Sequence, residues 1–395
     1  MASATPGPLS RGWAVRNFFI NLHMQRREFL KISGLSLASL ALTPLSAASR
    51  AESRGRSSYS VVILGDTHFD TEPSSVYHSN YNEPVEWLNR VQRAEFARNG
   101  EMWRERCPRL LARAASLVDA DTALAIQVGD LVQGDCGSGE VHARMLTDVM
   151  NRFKAELCGL PFVTVAGNHD IRGVDAKKTY REIMPRRMSE ELGQEITKTT
   201  FSFRIGRDVF IVIDFNSPDI AEIHKLLDRS EYARHTFILT HGGVFPYDGG
   251  SSRWFLLGSR KDTEERLRLR TRLAARKAIV LCGHSHFTEL LDWRGENGRI
   301  TQMTFNSVWK NQELGQYSVR TSDISTYGKL RLGKLMDNGK PVDDDPIYDE
   351  YRSGIRCYVN SLSAGSYKLN VSGSRISVDF YAGDSEKLSK RFILR

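Results

Sequence analysis

Five short segments carry side chains that bind metal ions, and each follows an apolar or β-branched run. They read Gly65-Asp66-Thr67-His68, Gly129-Asp130, Gly167-Asn168-His169-Asp170, His241-Gly242-Gly243 and Gly283-His284-Ser285-His286. Imidazole, carboxylate and amide-oxygen ligands suit zinc, manganese or iron, and two such ions about 3.5–4 Å apart can clamp a phosphoryl group and share a hydroxide nucleophile. A ligand common to both ions has to be a carboxylate, and Asp130, alone after its glycine, fits that task. In Asp66-x-His68 and His284-x-His286 the paired side chains lie one residue apart, so a loop past the strand end can aim both at metal. Of the ten histidines, His68, His169, His241, His284 and His286 fall in these segments. The others, His23, His78, His142, His224 and His235, read as packing or surface residues. Each segment alone is a weak signal, and it is the ordered set that is specific.

The elements that must position these residues alternate along the chain. Tyr59 to Leu64, Thr122 to Val128, Phe162 to Val165, Val209 to Ile213, Thr236 to Thr240 and Ala278 to Cys282 each read as a buried strand. Between them, Pro108 to Leu117, Val141 to Leu157, Ile220 to Leu227 and Thr263 to Ala275 have helical spacing of apolar residues. This is the pattern of an α/β core, in which ligands gather beyond the carboxyl ends of strands. The C-terminal third reads as antiparallel strands: a hairpin from Glu289 to Phe305, then Arg356 to Asn360, Tyr367 to Val371 and Ile376 to Tyr381. Three polar stretches, 69–102, 243–260 and 306–353, are too long for simple connections and are candidates for lids or binding loops.

Taken in order, these motifs resemble the calcineurin-like metallophosphoesterase superfamily over Gly65 to His286. The resemblance implies an α/β fold of two mixed β-sheets packed as a sandwich and flanked by helices, with a dinuclear site at strand C-terminal ends. It assigns Asp66, His68 and His286 to one metal and Asn168, His241 and His284 to the other, with Asp130 bridging. His169 matches the residue that protonates the leaving group or holds a phosphate oxygen, and Asp170 would orient it. The chain departs from purple acid phosphatases, which carry a tyrosine ligand where Gln133 stands, so an iron–tyrosinate site is not expected. Phe69, Leu131-Val132-Gln133 and Ala166 depart from the protein Ser/Thr phosphatases, and Gly242-Gly243 from many cyclic nucleotide phosphodiesterases.

The 395 residues carry a formal charge of +8 with 41% hydrophobic residues, which excludes collagen-like, mucin-like and wholly disordered classes. Half of that charge lies in residues 1–48, where Arg11, Arg16, Arg26, Arg27 and Lys31 face only Glu28. There Gln25-Arg26-Arg27-Glu28-Phe29-Leu30-Lys31 precedes an uncharged run, Ile32 to Ala48, that ends in small residues. The run is diluted by Gly34, Thr43, Pro44 and serines, so it falls short of a spanning helix. It resembles a twin-arginine export signal, with Gln25 where Ser or Thr is commoner and Met24 as an alternative start. The implied partition is an export signal over 1–48, a polar linker over 49–58 and a single metallophosphoesterase domain over 59–395. The implied location is periplasmic or secreted, with the twin-arginine machinery as partner and no permanent membrane anchor. Cys107, Cys136, Cys158, Cys282 and Cys357 show neither a C-x-x-C pair nor a disulfide framework.

The expected activity is metal-dependent hydrolysis of a phosphate monoester or diester. A metal-bridging hydroxide attacks in line, His169 is the general acid, and two ions of Mn, Fe or Zn are the cofactors. A small phosphorylated molecule is the expected substrate. Arg172, Arg253-Trp254, Tyr247 and Asp248 are candidates to hold its phosphate or ring. Two alternatives are a nuclease and a non-catalytic scaffold on the same fold. The first would want a basic surface that the remaining charge does not supply, and the second would have lost ligands that are all present here.

Overall fold

The computed structural model describes residues 57–69, 71–72, 86–246, 255–308, 336–337, 340–341 and 350–395. Residues 1–48, expected to be an export signal, and the candidate binding residues Tyr247, Asp248, Arg253 and Trp254 lie outside these.

The apolar runs form two mixed sheets. The first joins β1 (Ser58–Leu64), β2 (Thr122–Gln127) and β3 (Phe162–Thr164) in parallel. Parallel neighbours need long crossovers, and here these are α1 (Glu86–Ala115) and α2 (Gly139–Glu156). The second sheet repeats the plan. Its β5 (Asp208–Ile213), β6 (Thr236–Thr240) and β7 (Ile279–Cys282) run parallel through α4 (Ile220–Arg229) and α5 (Thr263–Ala275). It is extended by β4 (Phe201–Ile205), the hairpin β8 (Thr288–Gly295) and β9 (Gly298–Thr304), and β12 (Ile355–Ser361), in the order β12-β8-β9-β7-β6-β5-β4. The chain then returns to the first sheet as β13 (Gly365–Ser372), β14 (Arg375–Ala382) and β15 (Lys390–Ile393), giving the order β15-β14-β13-β1-β2-β3. A two-residue pair, β10 (Met336–Asp337) with β11 (Lys340–Pro341), stands apart.

The period of two in a strand sorts side chains between layers. Phe210, Val212, Phe237, Leu239, Ile279 and Leu281 join the core shared with the first sheet. Their neighbours Val209, Ile211, Ile213, Ile238 and Val280 face outward into a second core with Leu226, Leu227, Leu269 and Leu273 of α4 and α5. On the far side of the first sheet, α1, α2 and α3 (Ala176–Leu192) bury Leu110, Leu111, Met145, Val149, Tyr180 and Met184. The result is the expected sandwich of two mixed sheets flanked by helices. Among the described residues no helix is long and apolar enough to cross a membrane.

Three expectations need correction. The stretch 69–102 is not all loop: α1 begins at Glu86, some twenty residues before the predicted helix start at Pro108. Trp103, Cys107, Leu110, Leu111 and Ala114 form its buried stripe. Its N-terminal half is too polar to show a period, and Pro108, which reads as a helix start, sits inside the helix. α3 was not anticipated, because Pro185 and a charged exposed face hide its buried stripe of Ala176, Thr179, Tyr180, Met184 and Met188. The short strands β4 and β15 were also missed, since β15 has only Phe392 buried among its four residues.

Candidate metal centre

The strands β1, β2, β3, β6 and β7 deliver their C-terminal loops to one place. Asp66, His68, Asp130 and His286 each offer a ligand atom within 4.8 Å of the others, and so do Asp130, His241 and His284. Asp130 belongs to both groups. The Nε2 atoms of His68 and His286 lie 3.1 Å apart, and His286 Nε2 is 3.0 Å from Asp66 Oδ2. On the other side, His241 Nε2 is 3.2 Å from Asp130 Oδ2, 3.2 Å from Asn168 Oδ1 and 3.1 Å from His284 Nδ1. The seven predicted positions therefore lie together, with Asp66, His68, Asp130 and His286 in one cluster, Asp130, His241 and His284 in another, and Asn168 beside His241.

Local backbone strain makes the convergence possible. His68, Asp130, His284 and His286 all have positive φ, at 45°, 53°, 71° and 55°. Non-glycine residues seldom adopt this region, and when they do it is commonly at functional sites. Gly283 must be glycine for a different reason: a Cβ there would collide with Asp66 Oδ1, which accepts the His284 N–H at 3.0 Å. Two buried amides hold the loops. Gln127 Nε2 donates to the carbonyls of Gly65 (3.1 Å) and Gly129 (2.6 Å), while its Oε1 accepts from Gly129 N (3.0 Å) and Thr164 Oγ1 (2.6 Å). Gln302 Oε1 accepts the N–H groups of Val244 (2.8 Å) and Phe245 (3.0 Å) and so fixes the loop after His241.

The donor set fits bound cations. Asp66 and Asp130 are buried carboxylates, and buried charge is tolerated only when paired or coordinating. The facing Nε2 atoms of His68 and His286 offer two lone pairs to the space between them and Asp66. Burial works against a charge on His241, yet Asp130 and Asp66 outweigh it and hold its pKa up at about 9. A proton there stands where the carboxylates call for positive charge. His241 Nδ1 donates to the Val128 carbonyl at 2.9 Å, which directs Nε2 into the site, the usual support for a metal-binding imidazole. His68 lacks such support among the described residues: its Nδ1 has no hydrogen-bond partner there, and its ring stacks on Trp103 of α1, 5.8 Å between centroids at 22°. His284 is pushed down to about 3 by burial and by the neighbouring His241, which keeps its ring neutral, the form a metal would need.

His169 sits beside the ligands, with its backbone N–H donated to Asp130 Oδ1 at 2.8 Å and its ring edge-on to His68. Its orientation does not come from Asp170 as expected. The Asp170 carboxylate accepts from the backbone N–H groups of Val132 (3.1 Å) and Gly167 (2.9 Å), so it ties together the loops after β2 and β3. Burial and the nearby Asp130 raise Asp170 to about 7. The His169 ring is held instead by the Gln133 carbonyl, 2.8 Å from Nδ1, and by Arg172. Burial, with Arg172 alongside, pushes His169 down to about 4 against the pull of Asp130.

Four contributors to the site escaped the sequence reading. Asp135, fully buried, pairs with Arg172, and burial raises it to about 6. Phe215, just past β5, packs on the rings of both His241 and His284. Asn216 Nδ2 donates to the carbonyls of Ala166 (3.3 Å) and Gly167 (3.2 Å). Glu289 of β8 accepts from Tyr358 Oη (2.8 Å) and Asn360 Nδ2 (2.7 Å) and receives Ser285 Oγ at 3.4 Å, beside the two metal-facing histidines. The Asp214-Phe215-Asn216 segment follows a strand as the five motifs do, but without a glycine or histidine to mark it.

No curated protein matches the sequence. Among solved structures the chain is similar to the purple acid phosphatase PPD1 from yellow lupin (Lupinus luteus) seeds, at 12% identity and a TM-score of 0.46. That alignment covers 85% of this chain and 53% of the other, so the chain spans about half the lupin protein's length. It is also similar to PhoD (10% identity, TM-score 0.45, covering 86% of this chain and 69% of that one). A third similar structure is GAP50, the anchor in the inner membrane complex of Plasmodium (12% identity, TM-score 0.43, covering 86% and 89%). The model of the calcineurin-like phosphoesterase family matches residues 59–301, a span that contains every candidate ligand position. The chain belongs to the calcineurin-like phosphoesterase family.

Proposed function

We propose that the protein hydrolyses the phosphate ester of a small molecule by in-line displacement at phosphorus, without a covalent enzyme intermediate. The supporting observation is the sharing of Asp130 between two ligand groups. Asp66, His68 and His286 would hold one ion, Asn168, His241 and His284 the other, and Asp130 both. Ions held by these residues would supply a nucleophile from water at neutral pH and would neutralise charge on the phosphoryl oxygens. His169 lies next to this point, and its Nδ1, held by the Gln133 carbonyl, leaves Nε2 to exchange a proton with the leaving oxygen. In the free protein the ring is neutral near pH 7, so it becomes an acid only when an anionic phosphate beside it favours its protonation. Asp170 serves by fixing the two loops that carry Asp130 and His169.

The test is metal analysis together with hydrolysis of nitrophenyl and alkyl phosphates by the wild type, Asp130→Asn and His169→Ala. Asp130→Asn should lose metal and activity on both esters. His169→Ala should lose about 10²–10⁴-fold on the alkyl ester and far less on the nitrophenyl ester, whose leaving group needs no proton. Equal losses on the two esters would remove the general-acid role, and unchanged rates in Asp130→Asn would overturn the reading as a whole.

From the sequence we also propose that residues 1–48 are a removable twin-arginine signal and that residues 59–395 work as one exported domain. A periplasmic protein whose N-terminus still begins at Met1 or Met24 would refute this.

A further inference from the structure

Arg172 and Asp135 form a unit beside the metal centre that neither the ligands nor His169 explain. The fully buried Asp135 carboxylate takes Arg172 Nε at 2.8 Å and Nη2 at 2.6 Å, and the Asp135 N–H donates to the Arg172 carbonyl at 2.7 Å. A second tie, from Val174 N to the Cys136 carbonyl at 3.1 Å, closes the same pair of loops. Held in this way, the planar guanidinium cannot swing as an ordinary surface arginine does.

Its placement is specific. Arg172 Nη2 lies 3.0 Å from Nδ1 and 3.0 Å from Nε2 of His169. An atom in the ring plane at that distance from both nitrogens would collide with Cε1, so the guanidinium lies over the imidazole face. Arg172 and His169 keep 22% and 15% of their side chains exposed, so neither is sealed from the open side of the site. A cation fixed against the residue that faces the leaving oxygen stands where a phosphoryl oxygen would come, and guanidinium is the side chain best shaped for phosphate.

We propose that Arg172, oriented by Asp135 across the face of His169, binds a non-bridging oxygen of the substrate phosphoryl group and so selects phosphate monoesters over diesters. The proposal rests on the phosphoesterase reading above and names its substrate class. A monoester dianion has three non-bridging oxygens, two for the metal side and one for the arginine. In a diester that third oxygen is esterified, the charge is lower, and its substituent would have to occupy the ground that Arg172 and His169 hold. A mere loop staple would show no such preference, because loosening the loops would harm every substrate alike.

The experiment compares metal-loaded wild type, Arg172→Met and Arg172→Lys on nitrophenyl phosphate and bis(nitrophenyl) phosphate. The metal content of each is measured, and inorganic phosphate binding is followed by calorimetry. Arg172→Met should lose about 10- to 100-fold in kcat/KM on the monoester, the worth of one charge-assisted hydrogen bond, and under about threefold on the diester. Phosphate affinity should fall by the same 10- to 100-fold factor with metal content unchanged, and Arg172→Lys, which keeps the charge without the fork, should recover part of it. Equal losses on both esters, or phosphate affinity unchanged in Arg172→Met, would overturn the proposal. Arg172-dependent phosphate binding by a wild type that hydrolyses neither ester would uphold the anion subsite and sink the phosphoesterase reading instead.

Discussion

Replacing Gln127 by leucine would test whether the site is held together from beneath. Gln127 and Thr164 are both buried, at 0% and 2% exposure, so no solvent replaces a bond lost there. The leucine side chain is close in volume but removes all four hydrogen bonds between the ends of β1, β2 and β3. Two donors, the Gly129 N–H and the Thr164 hydroxyl, lose short bonds, the hydroxyl keeping only the Val165 carbonyl at 3.4 Å, and each buried donor so deprived costs about 1–3 kcal/mol. The expected destabilisation is therefore about 2–6 kcal/mol, read as a lower urea midpoint with an unchanged m-value on metal-free protein. Because Gly65 and Gly129 immediately precede Asp66 and Asp130, metal affinity should also fall, by about 10–100-fold if supporting hydrogen bonds behave here as they do around other metal ligands. Adding Thr164→Val to Gln127→Leu removes the orphaned hydroxyl and should restore about 1–3 kcal/mol, although Thr164→Val alone destabilises. A Gln127→Leu protein with the wild-type midpoint and wild-type metal affinity would refute the argument. So would a double variant whose cost is the sum of the two single ones.

Two further outcomes follow from groups away from the ligands. His142 is buried with Nε2 on the Asp170 carbonyl at 2.7 Å, and burial lowers its pKa to about 4. Between the unfolded value near 6.5 and the folded value near 4 the unfolded chain binds the extra proton, so stability falls as pH drops through that window, by about 3 kcal/mol in total. In metal-free His142→Gln, urea midpoints at pH 7 and pH 4 should differ less than in the wild type by that amount, and an identical pH slope would contradict the assignment. Asp208 is buried against Arg234 (2.6 Å) and Tyr59 (2.8 Å), where the start of β5 meets β1. Asp208→Ala should cost about 3–5 kcal/mol, the penalty for breaking a buried pair by removing one partner, with metal affinity unchanged. A destabilisation below about 1 kcal/mol, the range of exposed pairs, would show the pair to be ornamental.

Much of the core was legible because its signals are local. β-Branched runs such as Thr236–Thr240 and the amphipathic Thr263–Ala275 coincide with observed elements, since period and propensity act within one segment. α1 was only partly legible, because Trp103 stacks on the His68 ring of a distant loop, and nothing within the helix announces that partner. Asp135 looked like one more aspartate in a loop, and only folding buries it under Arg172. The role expected of Asp170 failed for the same reason: adjacency in sequence put it next to His169, but the turn at residues 167–170 sends its carboxylate back to two backbone amides.

By itself the sequence determined the chemical inventory. It set the identity and order of the seven candidate ligand positions, the glycines beside them, and their places at the ends of buried strands, because side-chain type and strand pattern are properties of a few neighbouring residues. Tertiary structure alone decided the grouping. His68 and His286 stand 218 positions apart, and their nitrogens come within 3.1 Å only through the pairing of two sheets and their crossovers. The same long-range geometry places Asp130 between both groups and lays Arg172 over His169, since distances across a fold are set by register and packing, which no local window of sequence contains.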